Sequence, residues 1–235
     1  MSAEMTLAEE YQSGPDQSVM VELYTSEGCS SCPPAEQYLN SYIGTAQLWK
    51  THFPMAFHVD YWDYLGWKDR FSDSAHSTRQ RVYARHLKQR TLFTPAFFVN
   101  GQPWRPGWFN DKYPPVSSKP GGLLTINVEK QALEVDYQPT KKLNHQELVL
   151  HVVVLGLGLT TNIEAGENKG RMARHDFVVL EHDRYPGKDA KWRVTLPKFN
   201  KYDARELALV AWVSVVGDPT PLQVAGGPWH PSKDK

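Results

Sequence analysis

Hydrophobic and polar positions first settle into a regular pattern at Val19-Met20-Val21-Glu22-Leu23-Tyr24-Thr25, a β-rich run that alternates in polarity and predicts a strand. Residues Ser26 to Cys29 turn the chain. From Cys29 to Tyr42 the period changes: Ala35, Tyr38, Leu39 and Tyr42 recur at helical spacing. Pro33 and Pro34 fall in the first turn of that helix, where a missing N–H costs no hydrogen bond. Met55 to Asp60 predicts a second strand, which completes a βαβ unit. Residues Asp69 to Gln89 predict one or two helices. Ala96 to Val99 reads as a strand and Asn100-Gly101 as a hairpin turn, because both turn positions need positive φ.

The breakers Pro103, Pro106, Pro114, Pro115, Pro120 and Gly121-Gly122 mark a domain boundary. Beyond them Leu123–Glu129, Ala132–Tyr137, Glu147–Leu157, Phe177–Glu181, Trp192–Leu196 and Leu207–Val216 predict strands without long helical periodicity. The second half therefore reads as a small all-β sandwich. The expected organisation is a tail over residues 1–17, an α/β domain over 18–112 with a helical insertion, and the sandwich over 121–230.

A chain of 235 residues buries a sizeable core without staples. Its 26 basic and 26 acidic residues cancel, so no overall field favours nucleic acid or an anionic membrane. The longest apolar stretch, Leu148 to Leu159, contains His151, Gly156 and Gly158 and is too short for a membrane span. Residues 1–17 have no basic start and no apolar run, so they do not read as a secretory leader. Removal of a leader would imply the periplasm; otherwise the cytoplasm is expected.

Two cysteines cannot build a secreted disulfide scaffold, and their spacing is the information. Two cysteines placed at random would fall three apart only about 1% of the time. In Cys29-Ser30-Ser31-Cys32 the first thiol sits at a helix N-terminus, whose unsatisfied N–H groups favour the thiolate. Cys29 is the expected nucleophile and Cys32 the resolving thiol, while small Ser30 and Ser31 leave the first sulfur accessible. A pair of inert or static cysteines is the bland reading. The same thiols also suit Cu(I) or Zn, with His58, His52 or Met55 as helpers, although two cysteines leave Zn short of ligands.

The runs Val21-Glu22-Leu23-Tyr24-Thr25-Ser26-Glu27-Gly28-Cys29-Ser30-Ser31-Cys32-Pro33-Pro34-Ala35 and His58-Val59-Asp60-Tyr61-Trp62-Asp63-Tyr64-Leu65-Gly66-Trp67, with Thr94-Pro95, resemble the bacterial thioredoxin-like family known as domain of unknown function 1223. Gly166-Glu167-Asn168, Gly170-Arg171 and His175-Asp176 are similar to it as well. The resemblance implies a thioredoxin-type fold in the first half and a cis proline at Pro95 facing the cysteine turn. There Thr94 would offer its backbone to an extended peptide. An ordinary proline opening a strand is the alternative.

Weaker candidates follow. Glu22, on the face of its strand away from Val21 and Leu23, would relay the resolving thiol's proton if buried behind the cysteines. An exposed or salt-bridged Glu22 is the competing reading. Trp62, with Tyr61, Tyr64 and Trp67, would wall a substrate groove or simply pack. His58 and Asp60 invite a metal or acid–base reading, against a structural hydrogen-bonding one. Arg171, His175 and Asp176 read as a turn and an interdomain contact, outside the catalytic set.

The expected protein is an α/β thioredoxin-like domain followed by an all-β sandwich-like domain, exchanging disulfides with protein or peptide thiols. No cofactor and no metal ligand is assigned. Thiolate-based Cu(I)/Zn delivery and a non-catalytic binding module are the alternatives. Direction of the redox chemistry, substrate and oligomeric state are not in the sequence.

Overall fold

The computed structural model describes residues 9–107, 112–142 and 147–231. Among the described residues it is mostly β, with two α-helices and three sheets. In chain order the first half holds β1 (Glu9–Gln12), β2 (Val19–Thr25), α1 (Pro33–Asn40), β3 (His52–His58), α2 (Ser74–His86), β4 (Ala96–Val99) and β5 (Gln102–Trp104). The second half holds β6 (Leu123–Glu129), β7 (Ala132–Gln138), β8 (Leu148–Leu157), β9 (Leu159–Asn162), β10 (Met172–His175), β11 (Val178–Gly187), β12 (Lys191–Thr195), β13 (Glu206–Val215) and β14 (Pro221–Trp229).

The largest sheet has eight strands in the order β14-β13-β8-β11-β3-β2-β4-β5. It does not stop at the breaker-rich stretch. Strand β11 from the second half lies parallel to β3 through Val178 and Ala56, and Ala56 N–H donates to Phe177 O at 2.8 Å. β2 and β3 are parallel, with Thr25 opposite His58, whereas β2–β4 and the strands beyond β11 are antiparallel. The helices are confined to the first half, as the periodicity implies, yet the two halves share one sheet.

A four-stranded sheet, β1-β6-β7-β12, packs on the β8–β13 part of the large sheet. β6 and β7 alternate buried and open positions, and Leu124, Ile126, Leu133 and Val135 meet Leu150, Val152, Leu209 and Ala211. That is the signature of sheets with one wet face. β8 and β13 are instead buried almost throughout, because both of their faces are covered. Strand β1 lies within the expected tail: Glu9–Gln12 pair with β6, and Tyr11 donates a hydrogen bond to Pro228 O at 2.7 Å. Residues 1–8 of that expected tail lie outside the described residues.

Alternation along β2 and β3 separates two faces. Leu23, Thr25, Ala56 and His58 look toward α1, as the Thr25–Glu36 hydrogen bond requires. Glu22, Tyr24 and Phe57 look toward α2, where Arg79 and Tyr83 meet them. β9 and β10 form a separate two-stranded arm that reaches back to α1.

Candidate functional site

Cys29 and Cys32 are disulfide-bonded, with Cα atoms 5.4 Å apart. Their turn is held by Cys29 N–H to Ser26 O and Cys32 N–H to Cys29 O, after which Cys32 O accepts from Ala35 and Glu36 as α1 begins. Pro33 and Pro34 open the helix, where the missing N–H groups would have had no intrahelical partner. Both cysteines are buried, Cys32 completely and Cys29 at 5% residual exposure. Trp62 comes close to Gly28: a Cβ there would sit 3.3 Å from Trp62 Cβ and Trp62 O.

Thr94–Pro95 is a cis peptide. Trp62 Nε1 donates to Thr94 Oγ1 at 2.7 Å, so one side chain ties the segment packed on Gly28 to the segment carrying Pro95. Pro95, Ser31, Ala35, Tyr38, Phe93 and Trp104 help line a groove of about 1010 Å³ on one side of α1. Ser30 is exposed, and its N–H donates to Glu167 Oε2 at 3.2 Å.

The β9–β10 arm closes over the cysteine turn. Asn168 Nδ2 donates to Glu27 O at 2.8 Å and to Cys29 O at 2.9 Å. His175 Nε2 lies 3.0 Å from Glu27 Oε1, and Trp67 Nε1 donates to Glu27 Oε2 at 2.7 Å. Glu27 therefore points inward but is paired. A second groove, of about 780 Å³, runs along the other side of α1 and is lined by Ser26, Glu27, Glu36, Asn40, Arg174 and His175 among others.

Beneath the turn lies a buried acid–base cluster that sequence spacing did not assemble. Glu36 follows Cys32 by one helical turn; its Oε1 accepts from Thr25 Oγ1 at 2.6 Å, and its Oε2 lies 2.8 Å from His175 Nδ1. His58 Nδ1 contacts Asp69 Oδ2 at 2.6 Å, and the His58 and His175 rings lie 5.2 Å apart. Burial works against a charge on His175, but Glu36 and Glu27 outweigh it and hold the imidazole up at about 10. Burial opposes a charge on His58 too, and Asp69 overrides it in the same direction. Glu36 and Asp69 are correspondingly held below the ordinary carboxylate range despite their burial, by His175 and His58 respectively.

Glu22 requires a correction. It is fully buried, but on the α2 face of β2 and not behind the cysteines. Its Oε1 accepts from Arg79 Nε at 2.8 Å and from Tyr24 OH at 3.3 Å, and its Oε2 accepts from Tyr83 OH. The carboxylate on the cysteine face is Glu36, from the helix rather than the strand. Among the proposed helpers, His52 spends Nδ1 on Thr51 Oγ1 and Nε2 on Pro114 O, and Met55 faces α2. His58 alone of the three joins the cluster. Asp60 binds Ser77 instead of pairing with His58. His175, read from sequence as an interdomain contact, is in that contact and in the heart of the cluster.

Fold and site define a mostly β protein carrying a CxxC disulfide at the start of a short helix, with a cis proline on the groove beside it. The chain belongs to the family described as protein of unknown function DUF1223, whose model matches residues 20–214. Among solved structures it is similar to a protein from Agrobacterium tumefaciens at 18% identity and a TM-score of 0.63, covering 95% of this chain and 98% of that one. It is also similar to HBP35 of Porphyromonas gingivalis at 13% identity and a TM-score of 0.57, covering 95% and 79%. Both likenesses concern the fold. No curated protein matches the chain.

Proposed function

We propose that this protein is a thioredoxin-like thiol–disulfide oxidoreductase acting on protein or peptide thiols. One observation carries the reading: the Cys29–Cys32 disulfide leads directly into α1, beside a groove whose wall includes Ser31, from within the cysteine motif, and the cis Pro95.

In the oxidised protein a substrate thiolate attacks Cys29 Sγ and Cys32 leaves as the thiolate, giving a substrate–Cys29 mixed disulfide. A second substrate thiolate then attacks the substrate sulfur of that bond, and Cys29 leaves as a thiolate. The substrate dithiol is oxidised by two electrons and the cysteine pair reduced by two. Run backwards, the same steps reduce a substrate disulfide, with Cys29 attacking and Cys32 resolving. The N-terminal end of α1 supports the thiolate form. Trp62 holds Thr94 at the groove, where an extended peptide would lie against the Thr94 backbone.

Glutathione redox buffers and a fluorescent peptide disulfide test this. The expected results are a reversible two-electron couple and catalysed exchange, abolished by Cys29→Ser. Cys32→Ser is expected to trap a mixed disulfide on Cys29. A Cys29–Cys32 bond that resists reduction in the native protein, or unchanged exchange in Cys29→Ser, would defeat the proposal.

A further inference from the structure

We propose that Glu36, His58 and His175 form a binding site for a divalent first-row transition metal ion, separate from the cysteine sulfurs. All three side chains are buried, and one donor atom from each lies within 4.8 Å of the other two. Donors around a tetrahedral ion with bonds of about 2.0–2.1 Å stand roughly 3.4 Å apart, so small side-chain rotations complete the triangle.

The arrangement around those donors carries the inference. Each ligand has one polar atom committed to an outer partner and the other left for the centre. His58 Nδ1 is taken by Asp69 Oδ2, His175 Nε2 by Glu27 Oε1, and Glu36 Oε1 by Thr25 Oγ1. What remains is His58 Nε2, His175 Nδ1 and Glu36 Oε2. Carboxylate–imidazole pairs of this kind fix the tautomer and orient a metal-binding histidine. His58 is completely buried, and its Nε2 has no hydrogen-bond partner among the described residues. An orphan buried ring nitrogen is costly unless something meets it. His175 Nδ1 and Glu36 Oε2 lie 2.8 Å apart as an ion pair, so two of the three donor atoms already stand side by side.

Charge supports the same conclusion. The carboxylates of Glu27, Glu36 and Asp69 converge on the two imidazoles in a buried place, so a cation among them meets negative charge on three sides. Two imidazoles and one carboxylate suit Zn²⁺, Fe²⁺, Co²⁺ or Mn²⁺ better than Cu⁺, which prefers sulfur, or Ca²⁺, which prefers oxygen. The groove lined by Glu27, Glu36 and His175 supplies an entry path, leaving the fourth position for water or a ligand. Because no sulfur takes part, the site stands whether or not the cysteine pair exchanges disulfides.

Titrating the oxidised, metal-stripped protein with Zn²⁺ tests the site, and Co²⁺ supplies its spectrum. Expected results are one ion per chain, a Co²⁺ spectrum without a thiolate charge-transfer band, and unchanged affinity in the Cys29→Ser/Cys32→Ser variant. His58→Gln and His175→Gln are each expected to weaken binding by more than about 100-fold, and Asp69→Asn by about 10–100-fold. X-ray absorption on the zinc-loaded wild type serves if a variant fails to fold: imidazole and oxygen scattering supports the site. Sulfur scattering, absence of stoichiometric binding, or folded histidine variants that bind normally would overturn it.

Discussion

The two faces of the β2–β3 strand pair bury similar chemistry and treat it differently. On the α2 face Glu22 is enclosed by Arg79, Tyr83 and Tyr24, and the guanidinium lies 4.8 Å from the Trp212 ring centre and 5.5 Å from that of Phe57. Both of its carboxylate oxygens have donors, and aromatic rings seal the pair. On the α1 face Glu36, His58, Asp69, Glu27 and His175 are as deeply set, but one ring nitrogen has no partner and a groove runs alongside. A buried ion pair whose desolvation is fully answered is architecture. One that leaves a donor atom unanswered next to an opening is where a ligand fits.

The strongest way to break this comparison is to unpair Glu22. Arg79→Met keeps the length of the side chain and strands a buried carboxylate, which is expected to cost about 3–5 kcal/mol in urea unfolding. Glu22→Gln/Arg79→Met, with no charge left to strand, is expected to cost clearly less than the single variant. Exchange through Cys29 in the folded protein should be unchanged in both. A cost under about 1 kcal/mol for Arg79→Met would mean that the pair is not the closed element described here.

Histidines on the two faces provide the next test, because they respond to pH with opposite signs. His175 is held at about 10 when folded, against an ordinary 6.5, and His58 is shifted the same way. Their contribution is complete below about 6.5 and is lost as pH rises through the folded values. On the α2 face burial pushes His76 down to about 4 and also depresses His151 and His182, with Arg79 adding to the effect on the last two. Their contribution is present above about 6.5 and is lost as pH falls toward the folded values. Glu36 and Asp69, held low, add to the loss at acid pH. Urea midpoints should therefore fall on both sides of neutrality, by on the order of a few kcal/mol at each extreme. His175→Gln should flatten the alkaline arm and, because Glu36 loses its partner, trim the acid arm as well, whereas His151→Asn should flatten part of the acid arm alone. A weakened alkaline arm in His151→Asn would show that the faces are not independent.

Legibility in the sequence divides along the same line. Local signals located β2, α1, β3 and the Asn100-Gly101 hairpin, and the spacing of Cys29 and Cys32 marked the turn. Strand β14 escaped because Pro221, Gly226, Gly227 and Pro228 read as breakers. It is an edge strand, where a missing N–H is tolerated, and Gly227 makes room for Tyr11, 3.1 Å from where a Cβ would be. β9 and β10 are four-residue strands with polar sequences, Leu-Thr-Thr-Asn and Met-Ala-Arg-His, and carry no alternating apolar signal. Glu36, His58, Asp69 and His175 converge only because β11 joins β3 and the arm folds back over α1. No short-range pattern encodes that. Strand alternation correctly set Glu22 apart from Val21 and Leu23, but the side of the sheet taken by the helix after the cysteines was not contained in that alternation.

The arm itself can be loosened at one residue. Asn168 is 2% exposed and donates to two carbonyls of the cysteine turn, Glu27 O and Cys29 O. Asn168→Ala removes the side-chain donor from buried Glu27 O and leaves Cys29 O with the Cys32 N–H alone, with an expected cost of about 1–3 kcal/mol. The cysteine turn should also become more accessible, read as faster reduction of the Cys29–Cys32 bond by dithiothreitol. Unchanged stability together with an unchanged reduction rate would show that the second half does not hold the turn.

The mildest change separates packing from hydrogen bonding at Trp62. Its Cβ and backbone lie against Gly28, its ring packs beside Tyr61 on the core, and its Nε1 reaches Thr94 Oγ1, so Trp62→Phe keeps most of the contact and removes only the donor. A single half-buried hydrogen bond contributes about 0.5–1.5 kcal/mol, and the hydroxyl left behind can turn to solvent, which places the expected loss at the lower end. Trp62→Ala removes the ring as well and should cost several times more, since it opens a gap between the turn and the Pro95 segment. Urea midpoints for the pair decide which link matters: equal losses would mean that the hydrogen bond, and not the packed ring, ties the cysteine turn to the cis proline.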